Sequence, residues 1–588
     1  MNADQLQQVE SLCEVLYNSA DQNARNHAQQ QLLSLQSSAE YIPQCQYILD
    51  HSGSAYALLL ASTSLTKLIT THWNNFSVPQ RVDIRNYILS YLASKGNVLS
   101  DFVITALVQL VCRITKLGWF DDVQHRELVE EVKKFLQATV DHCIIGLRVL
   151  VALVEELNLP TSGRTLPQHR KTAVSFRDVS LLSVFQIALT TLRQLQAGIP
   201  GASEDQERKM RQHALGLSAS CLGFDFIGTN PDESADDIGT IQVPSSWRNV
   251  VQDAETMGLL FDFYKTSRPE AAKLAMQSLI LLGAVRRSLF PTDKDRGVFL
   301  QRMMSGIREV LRDRTGLQHQ DNYHEFCRLL GRLKANYQLS ELVRTEGYVE
   351  WLELASAFSV QSFQQWQWST NSVHYLLALW GRLVAAVPYV RPDAGGRAHL
   401  PALQACVQAV VRAYIKAMID SVEVVLMSDG AVEDPLDDEG SLREQLDRLP
   451  VICRFQYESA AQYILSLFDP AMAAYQEVLS VLTPEGPAEA MRRAEALEGQ
   501  LTWLVYIVGA VIGGYSLTDA QALEGEEAID AGLSRRVLQL AQGVDFRLSS
   551  TGGRAKCQER LELALLYYMQ TFRRQYLNAP GGAGGGAD

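Results

Sequence analysis

The feature that most restricts this chain is a helix-period apolar pattern that stops and restarts along its whole length. Leu6, Val9, Leu12, Cys13 and Leu16 recur at the three- and four-residue spacing of one helix face. A polar break at Asn18–Asp21 leads into a second run with Ala24, Ala28, Leu32 and Leu35, and "YIPQCQYILD" predicts a third helix. Between Ala55 and His72 a fourth presents Leu58, Ala61, Leu65, Leu68 and Ile69. Pro79 predicts the first turn of the next, with Ile84, Tyr87, Ile88 and Tyr91 inward, because proline is pre-organised for a helix start. "DFVITALVQLVCRITKLG" and "DHCIIGLRVLVALVEELN" continue the pattern, and runs such as "IIGLRVLVALV" are too long for strands.

Helices of about 12–20 residues alternate with short polar breaks, and a pair recurs roughly every 40–50 residues. That spacing suits HEAT-like units, in which neither helix can bury its face without the next pair. The predicted fold is all-α: a curved α-solenoid (superhelix) of HEAT-like helix pairs, the second helix of each pair lining the concave side. Its 588 residues exceed what one compact core uses. The predicted organisation is N-terminal repeats over 1–120 and middle repeats over 121–390, with a basic loop at 158–178 and an acidic one at 225–246. Further repeats follow over 391–576, with a strongly acidic loop at 428–440, and 577–588 is a disordered Gly/Ala tail.

Composition excludes several classes. A net charge of −13 disfavours direct nucleic-acid binding, which needs a basic surface, and favours partners with basic patches. The 9 cysteines are scattered, odd in number and without a CxxC pair, which predicts reduced thiols in cytosol or nucleus. "LTWLVYIVGAVIGG" carries Gly509-x-x-x-Gly513, a spacing known from membrane helix pairs. Its helix would span only about 21 Å against the roughly 30 Å of a bilayer core, so a buried helix and no membrane insertion are predicted.

Chemistry is sparse. Counted as an EF-hand from Asp232 or from Asp429, the acidic loops put Asp237 or Asp434 where the obligatory glycine belongs, so no metal site is predicted. "SLTK" sets Ser64 three residues before Lys67 but lacks the companion elements of Ser–Lys acyl enzymes. Cys327 in "HEFC" sits on a face with Phe326, Leu329, Leu330 and Leu333, which predicts packing. There is no P-loop, dinucleotide fingerprint or HExxH, so no catalytic residue and no cofactor are predicted. Trp366 and Trp368 read as fillers between helix layers, and Trp119 as the residue after a helix-ending Gly118.

Several stretches carry a likeness: "RITKLGWF", "CIIGLRVL", "SFRD", "FDFIGTNPDESADD", "NYHEFCRLLGRLKANYQL", "NSVHYLLALW" and "LTWLVYIVGAVIGG". In this order the chain resembles the nuclear export receptors (exportins) of the importin-β, or karyopherin, family, whose chains are about twice as long. The resemblance implies a HEAT superhelix that takes the small GTPase Ran in its GTP form on the inner face of its N-terminal repeats. It further implies protein cargo, weak contacts with Phe-Gly nucleoporins, and shuttling between nucleus and cytoplasm. The segment from about Gln29 to Leu92 is similar to the family's Ran-binding module.

Helix position then nominates Ser64 and Lys67 on one inner helix and Gln109, Arg113 and Lys116 on the next as Ran contacts. The loops nominate Arg170, Lys171 and Arg177, and the acidic Glu433, Asp434, Asp437, Asp438 and Glu439, as further partner contacts. An import receptor, in which Ran-GTP opposes cargo, and a HEAT scaffold for an enzyme complex are the alternative readings.

Overall fold

Side-chain caps decide where the helices begin. Ser54 accepts from the Ala57 amide at the start of Ala55–Thr71, and Thr139 accepts from His142 at the start of Val140–Asn158. Ser203 and Gln206 close a reciprocal capping box on Glu204–Leu222, while Pro79 occupies the first turn of Val78–Lys95 as predicted. The computed structural model describes residues 1–227, 240–390, 399–481, 488–512, 514, 520–550 and 559–577. Among these the fold is all-α, and the nearest approach to a strand is one isolated parallel bridge between Ile241 and Val285.

The helices gather into two units, Met1–Pro291 and Thr292–Asp588, a division that falls inside the 121–390 stretch read as one region from sequence. In the first unit the second members of successive pairs are Ala55–Thr71, Asp101–Leu117, Val140–Asn158, Glu204–Leu222 and Pro269–Gly283, each packed on the next. Their first members, among them Ile42–His51, Val78–Lys95 and Leu128–Ala138, back onto them as the first layer, the second members forming the second layer. The early pairs keep the predicted repeat length. The later intervals are longer, because Leu166–Phe176 and Arg248–Gln252 are inserted as extra helices.

Ion pairs tie each repeat to its neighbour at about one repeat length. Arg81–Asp121, Arg85–Glu131, Arg113–Glu156 and Arg148–Asp101 join residues 40, 46, 43 and 47 positions apart. Arg85 corrects one prediction. On Val78–Lys95 the buried set is Val82, Arg85, Ile88, Leu89, Tyr91 and Leu92, with Ile84 and Tyr87 only half-buried. A fully buried guanidinium is tolerable there because it donates to Glu131 at 2.5 Å and to Asn86 Oδ1 at 2.6 Å.

In the second unit the second-layer helices are Gln320–Asn336, Val373–Ala385, Glu439–Arg454, Ala488–Ile512 and Glu559–Phe572, again each packed on the next. Asp293–Asp313, Tyr348–Gln364, Leu400–Met427, Tyr457–Val481 and Ala520–Ser550 form the other layer. Arg454, half-enclosed between layers, bonds Glu526 at 2.6 Å and Asp530 at 2.8 Å, and Asp530 also accepts from the hydroxyls of Tyr457 and Tyr576. Cys327 is fully buried as predicted, with burial pushing its thiol up to about 12. Trp368 departs from the filler reading: it is 37% exposed, its ring set T-shaped to that of Tyr323 with centroids 6.3 Å apart.

The "LTWLVYIVGAVI" segment is a core helix of this unit, with Leu501, Trp503, Leu504, Val505, Ile507, Val508, Val511 and Ile512 all buried. Gly509 has a packing purpose, since a Cβ there would stand 3.0 Å from Tyr567 and 3.2 Å from the Tyr568 backbone. Gly513 lies outside the described residues. Gly509→Val is therefore expected to destabilise the fold by about 1–3 kcal/mol through overpacking. Gly525→Ala, on a helix with open space around its Cα, is expected to stabilise it by about 0.5–1 kcal/mol. Thermal or urea unfolding of the two variants checks both signs.

Candidate interaction surface

The second-layer helices of the first unit bury their backs and flanks and leave one stripe in solvent. On Ala55–Thr71 the stripe is Thr63 and Lys67, with Thr66 and Thr70 half-exposed; on Asp101–Leu117 it is Phe102, Thr105 and Gln109, with Arg113 half-exposed. Tyr56 and Phe102 stack across the two helices with centroids 5.9 Å apart, so the stripes adjoin. Lys67 Nζ donates to Gln36 Oε1 at 3.2 Å and stays exposed. Lys67 and Gln109 are thus exposed and Arg113 half-exposed on adjoining helices.

Two nominated residues are not on this surface. Ser64 is fully buried in the packed side of its helix, where its hydroxyl finds no hydrogen-bond partner among the described residues. Lys116 is 7% exposed: its ammonium donates to the Glu156 carbonyl at 2.6 Å and to the Leu159 carbonyl. It thereby satisfies the frayed end of Val140–Asn158 as a C-terminal cap, a favourable place for a cation. Burial pushes Lys116 down to about 8, with Glu156 pulling the other way. Arg113 grips Glu156 through both carboxylate oxygens, at 2.6 and 3.2 Å. Glu156 is the organising residue that the sequence reading missed. Its only signal was a carboxylate one repeat downstream of an Arg/Lys pair.

The basic "loop" 158–178 is mostly helix. Thr165 and Gln168 make a capping box on Leu166–Phe176, which runs through a π turn at Arg177–Leu181 into Leu182–Ala197. Arg170 is exposed, Lys171 sits over the Phe120 ring at 4.6 Å, and Arg177 bonds Asp178 at 2.7 Å and the Phe226 carbonyl at 2.5 Å. Trp119 is 1% exposed, its indole N–H donating to Ser175 at 2.9 Å, so it pins this segment rather than a ligand. Of the acidic run at 225–246, Asp225 folds its carboxylate back to the Ile227 amide, while Asp232, Glu233, Asp236 and Asp237 lie outside the described residues.

The loop 428–440 is partly self-occupied. Asp434 and Asp437 both pair with Arg560, and Asp438 caps the helix that Glu439 opens. Only Glu433 and Glu439 among the nominated carboxylates remain exposed with no such role.

The helix-pair layers make this a helical-repeat protein, and residues 28–94, which contain the first helix of the stripe, match the importin-beta N-terminal domain. Residues 422–580 match the exportin-7-like TPR domain. The chain is 42% identical to exportin-7-B of Xenopus laevis over 579 residues, 97% of this chain and 51% of that protein. To Ran-binding protein 17 of Homo sapiens it is 40% identical over 582 residues, 97% of this chain and 51% of that protein. Along nearly its whole length it is similar to the exportin-7 and Ran-binding protein 16/17 proteins. The chain spans about half the length of the curated relatives it matches. Among solved structures, Kap121p bound to Nup53p superposes with a TM-score of 0.41 at 11% identity, covering 98% of this chain and 57% of that one. Importin beta gives 0.36 at 12%, covering 97% and 73%.

Removing the Glu156 carboxylate takes away both acceptors of Arg113 while Lys116 keeps its two backbone carbonyls, so Glu156→Ala is expected to cost about 1–3 kcal/mol. The pH dependence of Lys116 has a definite sign. Its folded pKa is about 8 against the ordinary lysine value of 10.5, so above about 8 the unfolded chain holds the extra proton and stability from this group rises with pH up to 10.5. Lys116→Met should remove that rise, seen as the difference between parent and variant urea midpoints measured from pH 7.5 to 10.5.

Proposed function

We propose that this chain is a nuclear transport receptor of the export type. It takes Ran in its GTP form on the stripe formed by Ala55–Thr71 and Asp101–Leu117. The observation that carries this reading is coincidence: the importin-beta N-terminal domain match at 28–94 contains the first of these helices, and the polar stripe continues from it onto the second. Lys67 and Gln109 are the exposed groups free to meet carboxylates or carbonyls on the GTPase. Arg113 contributes its remaining donor capacity, since Glu156 already occupies one edge of its guanidinium.

In this reading the chain performs no bond chemistry. Ran-GTP and a protein cargo each favour the same arrangement of the repeats, so each raises the other's affinity, by about 1–3 kcal/mol for typical coupled sites. Hydrolysis of GTP on Ran withdraws one partner and releases the other. Passage through the pore uses weak contacts with Phe-Gly nucleoporins, for which a cleft of about 600 Å³ is suited, lined by Val384, Pro388, Pro450, Val451 and Phe455 with Asp447, Arg454, Glu526 and Arg574 among its polar residues. The receptor accordingly shuttles between nucleus and cytoplasm.

Titration with Ran loaded with a non-hydrolysable GTP analogue, and with GDP, tests the reading. Preferential binding of the GTP form is expected, and Lys67→Glu should weaken it roughly 3–10-fold, the size of a lost partly desolvated charge contact, with unchanged thermal stability. Cargo that strengthens Ran-GTP binding marks an exporter and cargo that opposes it an importer. Equal affinity for both nucleotide states would contradict the proposal and favour a scaffold.

A further inference from the structure

In the first unit, arginines of the second-layer helices are neutralised by carboxylates: Arg113 by Glu156, Arg148 by Asp101 and Arg208 by Asp205. The second unit departs from this on Gln320–Asn336, Val373–Ala385 and Glu439–Arg454. No carboxylate occurs between Glu325 and Glu341, nor between Glu353 and the end of Val373–Ala385, in a chain whose 66 acidic residues outnumber its 53 basic ones. Of the two that bound the first gap, Glu325 pairs with Arg328 and Glu341 with Arg296.

What this leaves is a row of cations. Arg382 is exposed on Val373–Ala385 and donates to the Gly331 carbonyl of Gln320–Asn336 at 3.2 Å, next to the half-exposed Arg332. Gly381 packs against Ile452 on the other flank, where a Cβ would stand 3.8 Å away, and this brings up the exposed Arg448 of Glu439–Arg454. Burial of its stem and the nearby Arg448 charge hold Arg382 below the usual arginine value. Among the described residues neither Arg382 nor Arg448 has an ion-pair partner, although Glu444 and Asp447 are exposed on the same helix as Arg448. Helix dipoles do not account for the row, since Arg332 and Arg448 stand more than a turn short of their helix ends. Nor is this side a joint between repeats. Val373–Ala385 already has Gln320–Asn336 on one flank, Glu439–Arg454 on the other and Tyr348–Gln364 behind.

We propose that Arg332, Arg382 and Arg448 form a docking surface for an acidic segment of a partner protein. Guanidinium groups take carboxylates in a two-bonded fork, and a ligand bearing them relieves the repulsion between neighbouring arginines. Three helices packed about 8–10 Å apart set the row across roughly 16–20 Å, the reach of about five or six extended residues. A net charge of −13 disfavours nucleic acid, whose phosphates would meet repulsion beyond so small a patch. The surface belongs to the second unit and does not depend on the Ran reading.

Fluorescence anisotropy of a labelled peptide of alternating Asp and Glu, about eight residues long, titrated with the 588-residue chain tests it. Saturable binding below about 1 mM is expected, weakening several-fold between about 50 and 300 mM salt as the screening length shortens. Arg382→Gln and Arg448→Gln should each weaken it about 3–10-fold. Arg448→Lys should keep most of it, and Arg170→Gln, at an exposed arginine of the first unit, should change nothing. The same peptide with Asn and Gln in place of the acids should not bind. Tm of Arg448→Gln should be unchanged or raised, because one of two like charges is gone; a fall would assign Arg448 to the fold and overturn its role here. Absence of binding, or an equal loss in Arg170→Gln, would overturn the proposal. Tighter binding of a single-stranded RNA of similar length through the same two arginines would overturn the partner class in favour of nucleic acid.

Discussion

A helix in this protein is stable because of the helix one repeat away. Asp101–Leu117 shows the scale, with Val103, Leu107, Leu110, Val111 and Ile114 wholly buried between neighbours on both flanks and a backing helix behind. At roughly 1.5–3 kcal/mol for each large apolar side chain buried, this packing outweighs any single ion pair on the same helix. Ala3–Asn18, at the edge of the array, buries only Cys13. Stability here is a sum of nearest-neighbour interfaces rather than the property of one core.

The Arg–carboxylate links then fix register rather than supply energy. Arg148 is typical. It bonds the Asp101 side chain, the Asp101 carbonyl and Thr105, each at 2.8 Å, and so holds the start of one helix against the next. Apolar faces can slide by a turn at little cost, whereas a guanidinium with three placed acceptors cannot. The same device recurs in the second unit, where Arg296 donates to Glu341 at 2.7 Å and to the Asn336 carbonyl at 2.9 Å. Such local, directional joints let a partner bound on one helix bias its neighbours, which is the physical content of cooperative binding along a repeat array.

How far the sequence could be read follows from the same physics. Helix type and pairing were visible because apolar periodicity is local: Leu58, Ala61, Leu65, Leu68 and Ile69 are all buried as the spacing required. Arg85 and Lys116 were not, because a charge reads as solvent-facing until its partner, one repeat away, is in place. Ser64 misled in the opposite sense, a polar residue small enough to be packed away. The helix at Leu166–Phe176 was missed although Thr165 and Gln168 spell a capping box around Pro167, a signal obscured by the surrounding basic and turn-forming residues. On the candidate surface, the solvent exposure of Lys67 and Gln109 was legible from helix position, and Glu156, which holds Arg113 in place, was not.

What these relations leave exposed is as ordered as what they bury. The stripe across Ala55–Thr71 and Asp101–Leu117 is the polar remainder of two helices whose other sides are committed, and it lies where the importin-beta N-terminal domain is matched. Hydrogen–deuterium exchange of the chain with and without Ran addresses the central claim directly. The account predicts added protection in peptides covering 55–71 and 101–117 with the GTP-loaded protein and none with the GDP-loaded one. Protection confined to other helices, or the same pattern with both nucleotides, would contradict it.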